Sequence, residues 1–198
     1  MSRSPSRRAG SRPPQIAAHL PTTIEAALVI GNEAEAPAIA ALAPVLAIRT
    51  AAVDDAWPVG DFDLILMLEG IDGGGLADIQ SRLVRIGTQL SPKGRALLHI
   101  PTFAAPVGDG PEAYDRLLFP EPAAAGDLGD DIARRAMLPA SAWRLLIAAS
   151  GLRIVAAQGE GEHETSEILA AHAERLAAFD LQELRTARLT LIVEPAKP

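Results

Sequence analysis

Five short, largely apolar runs constrain this chain more than any other feature. They are Ala26–Ile30, Val45–Ile48, Phe62–Met67, Ala96–Ile100 and Leu152–Ala157, and an alternating end strand, Arg188–Val193, follows them. A strand with one wet face alternates apolar and polar residues, whereas a strand covered on both faces reads as a continuous apolar run. Between the third and fourth runs, Leu76, Ile79, Leu83, Ile86 and Leu90 fall at three- and four-residue steps, which predicts an amphipathic helix. Strands alternating with helices imply an α/β fold, here a Rossmann-like, mostly parallel sheet with helices on both faces. In such a sheet the ligand crevice lies outside the carboxyl ends of the strands. The loops after Ile30, Ile48, Met67 and Ile100 therefore surround any site.

Local signals punctuate this frame. Glu33–Leu42 is alanine-rich with acids at its start, a helix pattern that Pro44 ends. Pro58-Val59-Gly60-Asp61 reads as a turn, and Ser91-Pro92-Lys93-Gly94 as the stop after the amphipathic helix. Ser141 is the expected N-cap of a helix over 142–150, with Gly151 at its C′ position. A further helix is expected over Ser166–Phe179, and Asp180 caps a short turn after it. Residues 101–130 are rich in Pro, Gly and Ala and read as a lid-like excursion containing one small cluster, Tyr114–Phe119.

Composition bounds the function. The 198 residues hold no cysteine, which excludes a disulfide framework, a thiolate metal site and a thiol nucleophile. The first 24 residues carry four arginines and no acid, while the rest carries 14 basic and 25 acidic residues. We expect residues 1–23 to be a disordered basic tail and 24–198 a single domain. An acidic body disfavours a nucleic-acid face, leaving only the tail for such contacts. The longest nearly apolar run, Ala38–Ile48, is too short to span a bilayer, and no apolar segment follows the early arginines as in a secretory signal. The expectation is a cytoplasmic protein without a membrane span.

The ordered segments resemble the class I S-adenosylmethionine-dependent methyltransferases. Asp61–Ile71 (DFDLILMLEGI) is similar to the family's fourth strand and the loop behind it. Arg82–Phe103 is similar to its next helix, Pro-Gly turn and fifth strand, and Leu138–Gln158 to its late helix and sixth strand. Asp54-Asp55-Ala56-Trp57-Pro58 resembles the segment whose acid lies near the adenine. The resemblance implies S-adenosylmethionine as cofactor, a small-molecule acceptor, and cofactor contacts from Gly31, Asn32, Asp54, Asp55, Leu68 and Glu69.

The departures from that pattern are specific. Where the family's first strand ends in three spaced glycines, this chain has Gly31, Glu33 and Glu35, with Val29 in place of the preceding acid. Side chains replace hydrogens where a ligand approaches, and two carboxylates face the cofactor's own. The second strand ends in Arg49 and Thr50, where the family has the acid that holds the ribose. Only about a dozen residues separate this strand from FDLILM, so the fold is shortened in the middle by a helix and a strand.

Catalytic residues are not identified. Methyl transfer depends chiefly on proximity and alignment, so it need not leave a signature. His99, inside an apolar strand, reads as a hydrogen-bonded core histidine before it reads as a base. His163 and His172 lack metal-ligand spacing, and no metal is expected. Gly70 to Gly75 is a weak anion-cradle signal and otherwise a plain glycine loop. Two functions follow: a methyltransferase acting on a small molecule, or an inactive methyltransferase-fold protein serving as a structural or regulatory partner.

Overall fold

A computed structural model describes residue 16 and residues 18–31, 45–105, 138–160, 170–171 and 173–197. The expected helix over Glu33–Leu42, the Tyr114–Phe119 cluster, His163, His172 and residues 1–15 lie outside the described residues. The strands are β1 (Ile24–Ile30), β2 (Val45–Ala51), β3 (Phe62–Met67), β4 (Leu90–Pro101), β5 (Leu152–Glu160) and β6 (Arg188–Pro195). Among them stand the helices α1 (Leu76–Gln89), α2 (Ala140–Ala149), α3 (Ala173–Leu176) and α4 (Leu181–Arg185).

The strands form one sheet in the order β2-β1-β3-β4-β6-β5. β1 pairs parallel with β2 and β3, and β3 parallel with β4. β6 runs antiparallel to both β4 and β5, so five strands point one way and β6 alone is reversed. The mostly parallel α/β sheet expected from the apolar runs is the observed one.

The central runs are buried for the reason their composition gave, whereas β2 and β5, at the two edges of the sheet, are mostly half-buried or exposed where described. β3 carries Leu64, Ile65, Leu66 and Met67, all at 0% exposure, with alternate residues facing opposite sides of the sheet. Leu28, Ile65, Met67, Leu98 and Leu191 face one side, where Ile79, Leu83 and Ile86 of α1 and Trp143 and Ile147 of α2 cover them. Ala27, Val29, Leu64, Leu66, Leu97 and Ile192 face the other, where Ile16 and Leu20 join them. Packed chain thus extends ahead of the expected boundary at residue 24, because Ile16 is buried.

Two boundaries differ from expectation. β4 begins at Leu90, so the Ser91–Gly94 turn signal lies inside a strand. Its register against β3 jumps between Phe62↔Leu90 and Leu64↔Arg95, and the turn residues form that irregularity. Gly94 permits it: a β-carbon there would stand 2.5 Å from the Phe62 carbonyl oxygen. α2 starts at Ala140 with Pro139 as N-cap, two residues ahead of the expected Ser141. Its far end is as read, with Gly151 at φ +74°. Asp180 caps α4, its carboxylate accepting from the backbone N–H groups of Gln182 and Glu183.

The shortened middle is explicit. Residues 52–61 carry the chain from β2 past β1 to β3 with no helix or strand of their own. Among the described residues no helix is long and apolar enough to cross a membrane.

Candidate functional site

The strand order fixes where a crevice must open. β1 leads away to β2 and β3 leads away to β4, so the carboxyl ends of β1 and β3 are adjacent and their connections diverge. This is the switch point at which α/β sheets bind ligands. Gly31 ends β1 at φ +106°, and its N–H extends the β1–β2 ladder to the Ala51 carbonyl at 2.9 Å. Leu68 and Glu69 follow β3, with Leu68 half-buried and the Glu69 side chain exposed. Gly70 then turns at φ +79°, a conformation that disfavours any side chain. Gly31, Leu68 and Glu69 thus stand at the ends of β1 and β3, while Asn32 lies outside the described residues.

Val53 occupies the space between these ends. A β-carbon on Gly70 would stand 2.7 Å from Val53 Cγ2, and one on Gly31 would stand 4.0 Å from the same methyl. The valine comes from the 52–61 crossing, which is fastened to the body at four points. The Trp57 indole is 3% exposed in the core, and its N–H donates to the Val53 carbonyl at 3.3 Å. Arg85 of α1 lays its guanidinium 4.2 Å from the Trp57 ring centroid and donates to the Asp55 carbonyl at 3.3 Å. Arg82 pairs with Asp54 at 3.0 Å and also donates to the Gly73 carbonyl.

Asp54 and Asp55 accordingly lie on the crossing. Both are exposed, and the Asp54 carboxylate is directed to Arg82. At the end of β2, Arg49 donates to the Val59 carbonyl at 3.4 Å, with its guanidinium 6.0 Å from the Phe62 ring centroid. Among the described residues, β2 ends in Arg49, Thr50 and Ala51, with no acid in that strand end to receive ribose hydroxyls. Val53 packs against Gly31 and Gly70 beside it, so these described residues lack the family's ribose partner and bring a side chain to the β1–β3 ends.

The remaining candidates are structural. The glycine loop is a packed turn, with Ile71 fully buried and Asp72 2% exposed. Its Gly75 N–H is taken by the Asp78 carboxylate at 2.8 Å, so the protein supplies its own anion at the start of α1. Asp63, the second acid of the DFD entry, accepts from the N–H groups of Glu25 and Ala26 and from the Ser91 hydroxyl. It ties β3 to β1 and to the β4 irregularity. His99 sits in β4 opposite Thr190, on the sheet face that carries Leu97. Among the described residues no group of three or more His, Asp or Glu could hold a metal ion.

Val53, Trp57, Arg82 and Arg85 were not singled out by the sequence. The available signal was Trp57, the one aromatic among small residues and acids in a ten-residue connection.

No protein-family model and no curated protein sequence matches the chain. Among solved structures, it is similar to a chain of the complex between the Haloferax volcanii Trm112 methyltransferase activator and a methyltransferase. That match has a TM-score of 0.57 at 12% identity, covering 92% of this chain and 88% of that one. It is also similar to the 1,6-didemethyltoxoflavin-N1-methyltransferase of Burkholderia thailandensis, solved with 1,6-didemethyltoxoflavin and S-adenosylhomocysteine. There the TM-score is 0.55 at 15% identity, covering 92% and 76%. A third neighbour is an S-adenosylmethionine-dependent methyltransferase from Mesorhizobium loti, with a TM-score of 0.52, 15% identity and coverage of 91% and 95%. The chain has the class I methyltransferase fold. At such identities the likeness establishes the fold alone.

Proposed function

We propose that this protein is a methyltransferase-fold protein that acts as a structural or regulatory partner and transfers no methyl group. The observation that carries this reading is Val53, placed by the latched 52–61 crossing against Gly31 and Gly70, where a nucleoside cofactor would enter. The replacement of the ribose acid by Arg49 and Thr50 points the same way. So do Glu33 and Glu35 at the family's glycine positions, because side chains there obstruct a ligand's approach. A protein partner suits this role, and the Haloferax neighbour was solved in complex with an activator protein.

A second reading is an S-adenosylmethionine-dependent methyltransferase with a small-molecule acceptor. It is favoured by Gly31 and Gly70, which keep bare backbone at the ends of both switch-point strands. One fold neighbour was solved with S-adenosylhomocysteine and a small heterocyclic substrate. In this reading Gly31, Asn32, Asp54, Asp55, Leu68 and Glu69 would touch the cofactor, and the 52–61 crossing would have to move.

Calorimetric titration and thermal-shift measurements with S-adenosylmethionine and S-adenosylhomocysteine separate the two. The expected result is no saturable heat and no stabilisation. Saturable binding of either compound overturns the first reading and supports the second, since a ligand that binds the native state raises its stability.

A further inference from the structure

A second concavity lies at the same end of the sheet, beyond β4 from the β1–β3 crevice. It is a cavity of about 290 Å³ between the start of α2, the end of β5, the α4 turn and the start of β6. Its apolar surface includes Ala157 and Leu189, and among the described residues its charged groups are Arg144, Asp180 and Glu183. These charges line one cavity yet do not neutralise one another. Each carboxylate is already held by backbone: Asp180 Oδ1 caps α4, and Glu183 Oε1 accepts from the Ser141 N–H at 2.8 Å. Those bonds hold one oxygen of each carboxylate, and among the described residues no hydrogen bond is made by the other. Arg144 makes no hydrogen bond or ion pair among the described residues.

We propose that this cavity binds a small zwitterion, its carboxylate on Arg144 and its ammonium on the open oxygens of Asp180 and Glu183, with a short apolar chain between. The charge pattern selects this class. A simple anion would meet two fixed carboxylates, and a simple cation would meet the guanidinium. A molecule bearing both charges satisfies the guanidinium and the carboxylates together and gains charge-assisted hydrogen bonds from each. The apolar patch of Ala157 and Leu189 suits the methylenes between them. Nothing in this proposal depends on whether the β1–β3 crevice accepts a cofactor.

The full chain is titrated by calorimetry with glycine, β-alanine, 4-aminobutyrate and 6-aminohexanoate, a series of increasing charge separation. Butyrate and butylamine serve as the two single-charge halves. At least one zwitterion should bind saturably and about tenfold or more tighter than either half. Arg144→Gln should reduce that affinity about tenfold, to the level of butylamine. The double variant Asp180→Asn, Glu183→Gln keeps an acceptor oxygen for each helix start, so it preserves the fold while removing the ammonium's partners. It should bring affinity down to that of butyrate. The proposal is overturned if no member of the series outbinds both halves, or if Arg144→Gln folds normally and binds as the unaltered chain does.

Discussion

Two connections between parallel strands cross the same face of this sheet, and they do so by different means. From β3 to β4 the chain uses α1, a 14-residue helix whose stripe of Ile79, Leu83 and Ile86 is buried against the strands. From β2 to β3 it uses ten residues with no regular structure, passing over β1 on the way. The helix covers the sheet with a row of moderate side chains. The shorter crossing covers it with one large one, Trp57, and borrows Arg82 and Arg85 from the helix to hold its backbone. A crossover without a helix is sustainable when a neighbouring helix does its fastening. The cost falls on the switch point, because so short a path brings Val53 across the ends of β1 and β3.

Trp57→Ala is the hardest test of this equivalence. It should destabilise the protein by about 3–5 kcal/mol in denaturant unfolding, against about 2–5 kcal/mol for Leu83→Ala in α1. A Trp57→Ala cost under about 1 kcal/mol would mean that the crossing merely rests on a finished sheet, and the comparison would break. Gly70→Ala comes next, at about 1–3 kcal/mol, from the left-handed backbone and the approach to Val53. Adding Val53→Ala should return part of that loss, which separates contact from backbone strain.

Smaller effects sharpen the account of the fastening. Arg85→Ala should cost about 0.5–1 kcal/mol and change Trp57 fluorescence, since the guanidinium leaves the ring face. Asp54→Asn should cost about 0.5 kcal/mol or less, and added salt should erase the difference, because the Asp54 side chain of the pair is 89% exposed. A large or salt-insensitive effect there would give Asp54 a role outside the latch.

The centre of the sheet was legible because burial on both faces leaves apolar runs in β1, β3 and β4, and the missing unit because FDLILM follows β2 too soon. Ala140–Ala149 and the Asp180 cap were legible to within a residue or two, since capping is a local event. What escaped depends on distant chain. Ser91–Gly94 carries turn residues, yet Gly94 lies against the Phe62 carbonyl and the strand runs on. Val53 and Trp57 gave no periodic signal, because a crossing without regular structure has no period to read. Their role is set by Gly70 and Arg85, respectively 17 and 28 positions away in sequence. Asp54, expected from the resemblance to contact the cofactor, pairs with Arg82, and tertiary placement alone decides that pairing.

β6 lies between β4 and β5 in space but follows both in synthesis. While the chain emerges from the ribosome, β4 presents an unpaired hydrogen-bonding edge, and β5 has no sheet to join until β6 is made. Both are apolar strands with open edges, the kind of surface that captures other chains. The β4 edge therefore stays open while residues 102–187 are made. One late strand then covers the β4 edge and brings β5 into the sheet in a single step.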